Sequence, residues 1–146
     1  MRVFIGGVMQ ASNAGKGIMD QGYRRHITDA LLARWPEVLD PFAMHPQSVE
    51  YDDAAAAATL FAMLDLATGA DLVIAYVPTA SMGTALEMYV AHRAGVPVAT
   101  ISPLETNWVV RALSSRVFSD LESFCACMGT AGSVAELASV AQQFQM

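Results

Sequence analysis

The sequence has few basic residues. Its 146 residues contain 8 Lys and Arg against 14 Asp and Glu, so the formal net charge is −6 and the pI is about 4.8. Lys16 is the only lysine. A protein that binds the phosphate backbone of DNA or RNA needs a basic stripe. The composition therefore argues against a nucleic-acid partner.

Cysteine is also scarce, with Cys125 and Cys127 as the only two. Two positions apart, they are poorly placed to bridge each other, which fits a reducing compartment. A Cys-x-Cys pair could supply half of a metal site, but the three histidines, His26, His45 and His92, are scattered along the chain. We therefore predict no metal ion and no other cofactor.

Long apolar runs are absent. No stretch of about eighteen apolar residues exists, so no transmembrane segment and no membrane partner are predicted. The first ten residues, MRVFIGGVMQ, start a strand pattern without the features of a signal peptide. With 54% apolar residues, the chain is expected to form one domain over residues 1–146 and to be cytoplasmic.

Residues 70–95 predict a strand, a turn and a helix. The apolar run 72–77 follows Asp71 and is typical of a strand buried on both faces. Small polar residues then precede a helix over 85–93, with Ser81 as its N-cap and Gly95 at its end. In parallel α/β folds ligands bind at the carboxyl ends of the strands. The turn after this strand is thus the predicted site.

Glu87 lies in the second turn of this helix, among small or apolar residues. Its side chain would lean back over the preceding turn towards the edge of the sheet. Gly83 and Ala91, four residues away on either side, offer no ion pair. Spacing alone leaves open an ordinary solvent-exposed glutamate.

Four further strands are predicted around this unit, and helices alternate with them. In the first helix Tyr23, Ile27 and Leu31 form the buried stripe, which leaves Arg24 and Arg25 outward. The pattern predicts an α/β, flavodoxin-like three-layer sandwich with a five-stranded parallel sheet. The other predicted strands are 3–8, 37–40, 96–101 and a short one within 117–124, and the other helices begin after Asp20, Asp52, Asn107 and Ser133.

The segment Asp71 to Glu87, with its SMGTALE motif at 81–87, resembles the core of the nucleoside 2-deoxyribosyltransferases and the related nucleotide N-glycosidases. The resemblance spans about residues 3 to 124 and includes Gly6, Gly7 and Asn107. It implies that Glu87 attacks the anomeric carbon of the sugar, and that Asp71 helps to protonate the departing base.

The resemblance also implies a set of substrate contacts and a shared active site. Asn107 would reach the sugar bound by a neighbouring subunit, so the protein would be a homodimer or a higher homo-oligomer. Predicted contacts from the turn are Ser81, Met82 and Gly83, and those from the first strand are Gly6 and Gly7.

Loops after the first two strands complete the predicted site. The loop 9–19 contains Gln10, and the loop 42–51 contains His45. Both follow strands of a parallel sheet and so lie at its ligand-binding edge. We expect Gln10 and His45 to contact the substrate, with the second loop closing over the base.

Cleavage of an N-glycosidic bond needs two acids in different environments. One carboxylate traps or stabilises the oxocarbenium-like sugar while a proton donor assists the leaving base. We expect Asp71, at the start of a buried strand, to have the raised pKa, and Glu87, near a helix N-terminus, to stay ionised. Asp71 is nevertheless about 20 Å from the carboxyl end of its strand.

Ser81 indicates the substrate. In the resembled family the transferases have an aspartate six residues before the nucleophile, where it binds the 5′-hydroxyl, whereas the nucleotide hydrolases have a serine. A serine at a helix N-terminus tolerates a 5′-phosphate that an aspartate would repel. The hydrolases' arginine in the first loop is missing, so Lys16 or Ser12 would replace it.

The predicted function is hydrolysis of a (deoxy)nucleoside 5′-monophosphate at its N-glycosidic bond, with a small-molecule nucleoside or nucleotide as partner. Three alternatives stay open. One is base exchange by a 2-deoxyribosyltransferase, and another is a non-catalytic nucleotide sensor. The third is a cytokinin-activating phosphoribohydrolase, whose Gly-Gly-x-Gly-Thr-x-x-Glu motif is matched only from Gly83 to Glu87.

Overall fold

The computed structural model describes residues 2–11, 13–32 and 37–130. Five parallel strands form one sheet in the order β2-β1-β3-β4-β5. The strands are β1 (Arg2–Gly7), β2 (Glu37–Leu39), β3 (Leu72–Tyr76), β4 (Val98–Ile101) and β5 (Arg116–Phe118). The helices are α1 (Gly22–Leu32), α2 (Pro41–Met44), α3 (Asp53–Thr68), α4 (Met82–Arg93), α5 (Trp108–Leu113) and α6 (Leu121–Thr130), and a short 3-10 helix spans Ser48–Glu50.

Helices cover both faces of the sheet, as the predicted three-layer sandwich requires. Side chains alternate along β1, so Ile5 packs with Ile27 of α1 and Phe124 of α6. Phe4 points to the opposite face and packs in a cluster that includes Met88 of α4. The predicted flavodoxin-like fold is thereby confirmed. None of the helices described is long and apolar enough to cross a membrane.

Side-chain caps define the starts of three helices where the sequence predicts them. Asp52, Ser81 and Asn107 each accept a hydrogen bond from a backbone amide in the first turn of α3, α4 and α5. Such a cap satisfies one of the amides that the helix itself cannot bond. The start of α4 beside the carboxyl end of β3 is thus fixed by local chemistry.

The short strand predicted within residues 117–124 is present as β5, which ends at Phe118. The helix α6, which starts at Leu121, is not predicted by the sequence pattern. Asp120 accepts a hydrogen bond of 2.7 Å from the amide of Ser123, which starts the helix. Phe124 is fully buried on this helix and meets the ring of Phe118 edge to face. Core packing therefore continues through a helix rather than through a strand.

Other predicted features differ or lie outside the described residues. The loop 42–51 is more ordered than expected, because α2 and the 3-10 helix occupy most of it. Ser12, the helix end at residues 35–36 and the final helix after Ser133 are outside the part of the chain that the structure describes.

Gly95 sets the end of α4 and offers a test of the local conformation. Its φ is +76°, and its amide donates to the carbonyl of His92 at 3.1 Å. We expect Gly95→Ala to lower the free energy of unfolding by about 1 kcal/mol, because a side chain strains this backbone conformation. Urea unfolding would measure the change.

Gly83→Ala is the matched control. Gly83 lies in the first turn of α4, with no atom within 4 Å of the position a Cβ would take. Alanine favours helix over glycine, so this variant should be as stable as the wild type or more so. Equal losses in both variants would contradict the assignment of strain to Gly95.

Candidate active site

Glu87 is half-buried, and its carboxyl group lies directly against the backbone of β1. Its Oε2 is inaccessible to solvent and has no hydrogen-bond partner. A Cβ built on Gly6 would lie 2.5 Å from this oxygen, so only glycine leaves room for the carboxyl group. The sequence predicts a close approach to the backbone at Gly6, and the structure brings Gly6 and Glu87 together there.

Burial changes the acidity of this carboxyl group. Removal from water raises the pKa of Glu87 from 4.5 to about 8, although the Arg24 guanidinium acts in the opposite direction. The expectation that Glu87 stays ionised near its helix N-terminus is therefore wrong. Desolvation outweighs the helix dipole, whose effect is small beyond the first turn.

Arg24 is buried, which corrects the prediction that it points outward. Only 3% of its surface is exposed. It forms an ion pair with Asp40 at 2.8 Å and donates to the carbonyl oxygens of Ile5 at 3.3 Å and Gly7 at 3.1 Å. A buried guanidinium needs such partners, since an unpaired charge is very costly away from water.

Helical spacing contains a signal for the burial of Arg24. It lies three residues before Ile27 and seven before Leu31, so it shares their face of α1. Asp40, at the end of β2, is less visible in the sequence. Only the assembled sheet brings the Asp40 carboxylate next to the Arg24 guanidinium.

Two stacked tyrosines support the end of β1 on the face opposite Glu87. The rings of Tyr23 and Tyr76 lie 4.1 Å apart between centroids. Tyr23 donates its hydroxyl proton to the carbonyl of Val8 at 3.0 Å, and burial raises the pKa of this hydroxyl well above its usual range. A Cβ on Gly7 would collide with this ring. Glycine is therefore needed at position 7 because a larger residue would collide with the Tyr23 ring.

A cavity of about 360 Å³ lies beside the N-terminal half of α4. Ser81, Met82 and Asn107 line it, as does Ala11 from the loop after β1. Glu87 is not among its lining residues, although its neighbour Met88 is. Three predicted contact residues are thus brought together. The other lining residues are mainly apolar: Val77, Ala80, Ala85, Met88, Leu104, Val109 and Val110.

Asp71 is not brought together with Glu87. It immediately precedes β3, at the amino edge of the sheet, whereas the site is at the carboxyl edge. Asp71 is exposed and accepts a hydrogen bond of 2.7 Å from the amide of Arg2. The strand that follows Asp71 is buried as expected, but Asp71 itself is not, and its observed contact joins the starts of β1 and β3.

The remaining predicted contacts lie in or beside loops at the carboxyl edge. Gln10 is exposed, and so is Gly83 on the outer side of α4. His45 is half-buried, and its Nδ1 lies 2.8 Å from the hydroxyl of Tyr51. Lys16 Nζ forms an exposed ion pair of 2.7 Å with Glu50, which connects the first two loops. In this structure Lys16 is therefore already paired.

The described residues contain no group of three or more His, Cys, Asp or Glu side chains that could hold a metal ion. The chemistry available at this site is that of a carboxyl group in an apolar setting, with hydroxyl and amide groups nearby.

Solved structures with a similar fold include two enzymes. A 2-deoxyribosyltransferase from Bacillus psychrosaccharolyticus has a TM-score of 0.64 at 16% identity, and the match covers 94% of this chain and 96% of that chain. The CMP N-glycosidase BcmB from Clostridium botulinum has a TM-score of 0.52 at 18% identity, with coverage of 88% and 98%.

A conserved protein from Enterococcus faecalis is also similar, with a TM-score of 0.60, 18% identity and coverage of 88% and 97%. No protein-family model and no curated protein matches the sequence. At these identities the likeness establishes the fold. Its neighbours include both enzyme types that the sequence resembles.

The buried carboxyl group should make stability depend on pH. The folded protein keeps the Glu87 proton up to about pH 8, whereas the unfolded chain releases it near 4.5. The folded state thus binds more protons between these values, so stability falls as the pH rises through this window. Over this window the free energy of unfolding should fall by an amount on the order of a few kcal/mol. We expect Glu87→Gln to remove this decrease. Urea unfolding at several pH values would measure it.

Glu122→Gln serves as the control, because Glu122 is an exposed glutamate in the first turn of α6. It should keep the pH dependence of the wild type. If the curves of wild type and Glu87→Gln run parallel from pH 5 to pH 8, the raised pKa of Glu87 is wrong.

Proposed function

We propose that this protein cleaves the N-glycosidic bond of a nucleoside 5′-monophosphate, with Glu87 as the nucleophile. The observation that carries the proposal is the buried, unpartnered carboxyl oxygen of Glu87 at the carboxyl edge of the sheet. Burying such a group costs free energy, so its retention calls for a functional reason. The fold shared with a deoxyribosyltransferase and an N-glycosidase supports this chemistry.

In the proposed reaction, ionised Glu87 attacks the anomeric carbon as the bond to the base breaks, and the base, which leaves with the bonding electron pair, takes a proton from solvent water. A glycosyl-enzyme ester forms, and water then hydrolyses it and releases the sugar phosphate. A carboxylate held away from water is a stronger nucleophile than a solvated one, but it must first lose its proton. Activity should therefore rise with pH towards the pKa of Glu87, about 8.

Asp71 has no part in this scheme because of its place at the amino edge of the sheet. The proposed contacts to sugar and phosphate come from the turn before α4 and from Asn107. Ser81 can donate its hydroxyl proton to a phosphate while its oxygen caps the helix. His45 and Gln10, on the neighbouring loops, are the proposed contacts to the base.

A homo-oligomer is part of the proposal, since large apolar side chains are exposed on α3, α4 and α5. Phe61 is 63% exposed, Met82 83%, Tyr89 51% and Trp108 84%. Exposed apolar side chains of this size are of the kind that subunit interfaces cover. Met82 also lines the cavity, as does Asn107. A second copy bound there would complete the site.

The first experiment measures base release from ribo- and deoxyribonucleosides and from their 5′-monophosphates, with and without a second free base. Glu87→Gln should lower kcat by at least about a thousandfold, because it removes the nucleophile and preserves the shape of the side chain. Glu122→Gln should keep the wild-type rate. For the wild type, kcat/KM should rise between pH 6 and pH 8.

The panel also separates the alternatives. Faster reaction with a second base present would favour base exchange over hydrolysis. Binding of a monophosphate without any base release would favour a sensor, and the catalytic role of Glu87 would be withdrawn.

Substitution of Ser81 tests the phosphate preference. Asp and Asn both cap helices well, so either should preserve the start of α4. We expect Ser81→Asp to lower kcat/KM for monophosphates by about a hundredfold relative to nucleosides, through repulsion of the phosphate. The neutral Ser81→Asn should change this ratio much less. Equal ratios in the two variants would show that no phosphate binds beside residue 81.

A further inference from the structure

Arg24 occupies the place that a longer β2 would fill. β2 pairs with β1 only from Arg2 to Phe4 and ends at Leu39. Beyond that point the carbonyl oxygens of Ile5 and Gly7 accept hydrogen bonds from the Arg24 guanidinium. One side chain from α1 thus replaces the missing strand as the donor to the last residues of β1.

The segment that Arg24 holds is the one against which Glu87 rests. Ile5 and Gly7 flank Gly6, whose backbone lies against Glu87 Oε2. A shift of this segment by a fraction of an ångström would open or close the space for the carboxyl group. Arg24 is itself fixed, because its Nε donates to Gln21 at 2.7 Å and its guanidinium lies over the rings of Tyr23 and Phe42.

Arg24 also brings a positive charge close to a carboxyl group that burial tends to keep neutral. Its charge acts on Glu87, and Asp40, its ion-pair partner, offsets part of that charge. The Tyr23 hydroxyl is also near this charge, and burial raises its pKa, so it stays neutral at physiological pH. Burial and Arg24 therefore act in opposite directions on the pKa of Glu87, and we expect the Asp40 carboxylate to weaken the effect of Arg24 through their ion pair.

We propose that Arg24 is a positioning residue for Glu87, holding the β1 backbone under the carboxyl group, and that its ion pair with Asp40 controls how strongly its positive charge acts on that group. The catalytic consequence of this inference rests on the proposed role of Glu87 as the nucleophile. The effect of the Arg24 charge on the Glu87 carboxyl group does not depend on that role.

Three variants separate charge from geometry. Arg24→Met removes both the charge and the hydrogen bonds, whereas Arg24→Lys keeps the charge without the planar fork. Asp40→Asn removes the opposing negative charge and keeps an oxygen for the amide of Phe42 that Asp40 now caps. A purely structural role predicts that all three variants damage the protein in a similar way.

The readouts are the pH profile of base release and a ¹³C-carboxyl NMR titration of Glu87, assigned by comparison with Glu87→Gln. We expect the Glu87 pKa to rise by about one unit or more in Arg24→Met and to fall in Asp40→Asn. At pH 7 a one-unit rise corresponds to about a tenfold loss of kcat/KM. In Arg24→Lys, Glu87 should titrate as in the wild type, but kcat should be lower, because the planar fork that holds the β1 backbone is missing.

Opposite shifts in Arg24→Met and Asp40→Asn would support the proposal. Shifts in the same direction, or none, would overturn it. If Arg24→Met does not fold, the downward shift in Asp40→Asn and the unchanged titration of Arg24→Lys remain decisive. If the wild type releases no base, the NMR titration still tests the electrostatic part, so the failure of the proposed function is recognised separately.

Discussion

The contact between the Glu87 carboxyl group and the backbone of Gly6 is the constraint on which this site depends. A carboxyl oxygen without a hydrogen-bond partner is held out of water, and no side chain fits beneath it. Such an arrangement lowers stability, because the charged form loses its hydration. It also provides a carboxylate that a substrate can meet without displacing tightly bound water, which suits a nucleophile.

The parallel sheet makes this contact possible. β1 and β3 are paired from Val3 and Leu72 through Gly7 and Tyr76, so both strands end at the same edge. α4 starts beside that edge at the Ser81 cap and crosses back over β1 and β3. The second turn of α4 therefore brings Glu87 over Gly6. The short β2 leaves the end of β1 without a neighbouring strand on one side, and Arg24 fills that position.

The site combines two parts of different chemical character. One is the Glu87 carboxyl group, which burial keeps neutral although a buried guanidinium acts against this. The other is a mainly apolar cavity, which the helix caps Ser81 and Asn107 line. In the proposed reaction the sugar would meet Glu87, and the phosphate would need donors such as helix amides. Met82 of α4 and Val109 of α5 are exposed and line the same cavity, where the proposed second copy would bind.

The sequence by itself determined the alternation of strands and helices, the helix starts at Asp52, Ser81 and Asn107, and the choice of Glu87 as the candidate nucleophile. These features depend on local periodicity, on turn chemistry and on a motif within one strand-turn-helix unit. The start of α6 at Leu121 was also a local signal, with Asp120 as its cap, and the apolar pattern of the preceding strand concealed it.

Tertiary structure alone decided the acidity of Glu87, the burial of Arg24 and the place of Asp71. A pKa depends on how much water and which charges surround a group, and these neighbours come from α1, β1 and β2, far apart in the sequence. Asp71 and Glu87 are only sixteen positions apart. They nevertheless lie at opposite edges of the sheet, because β3 separates them along its whole length.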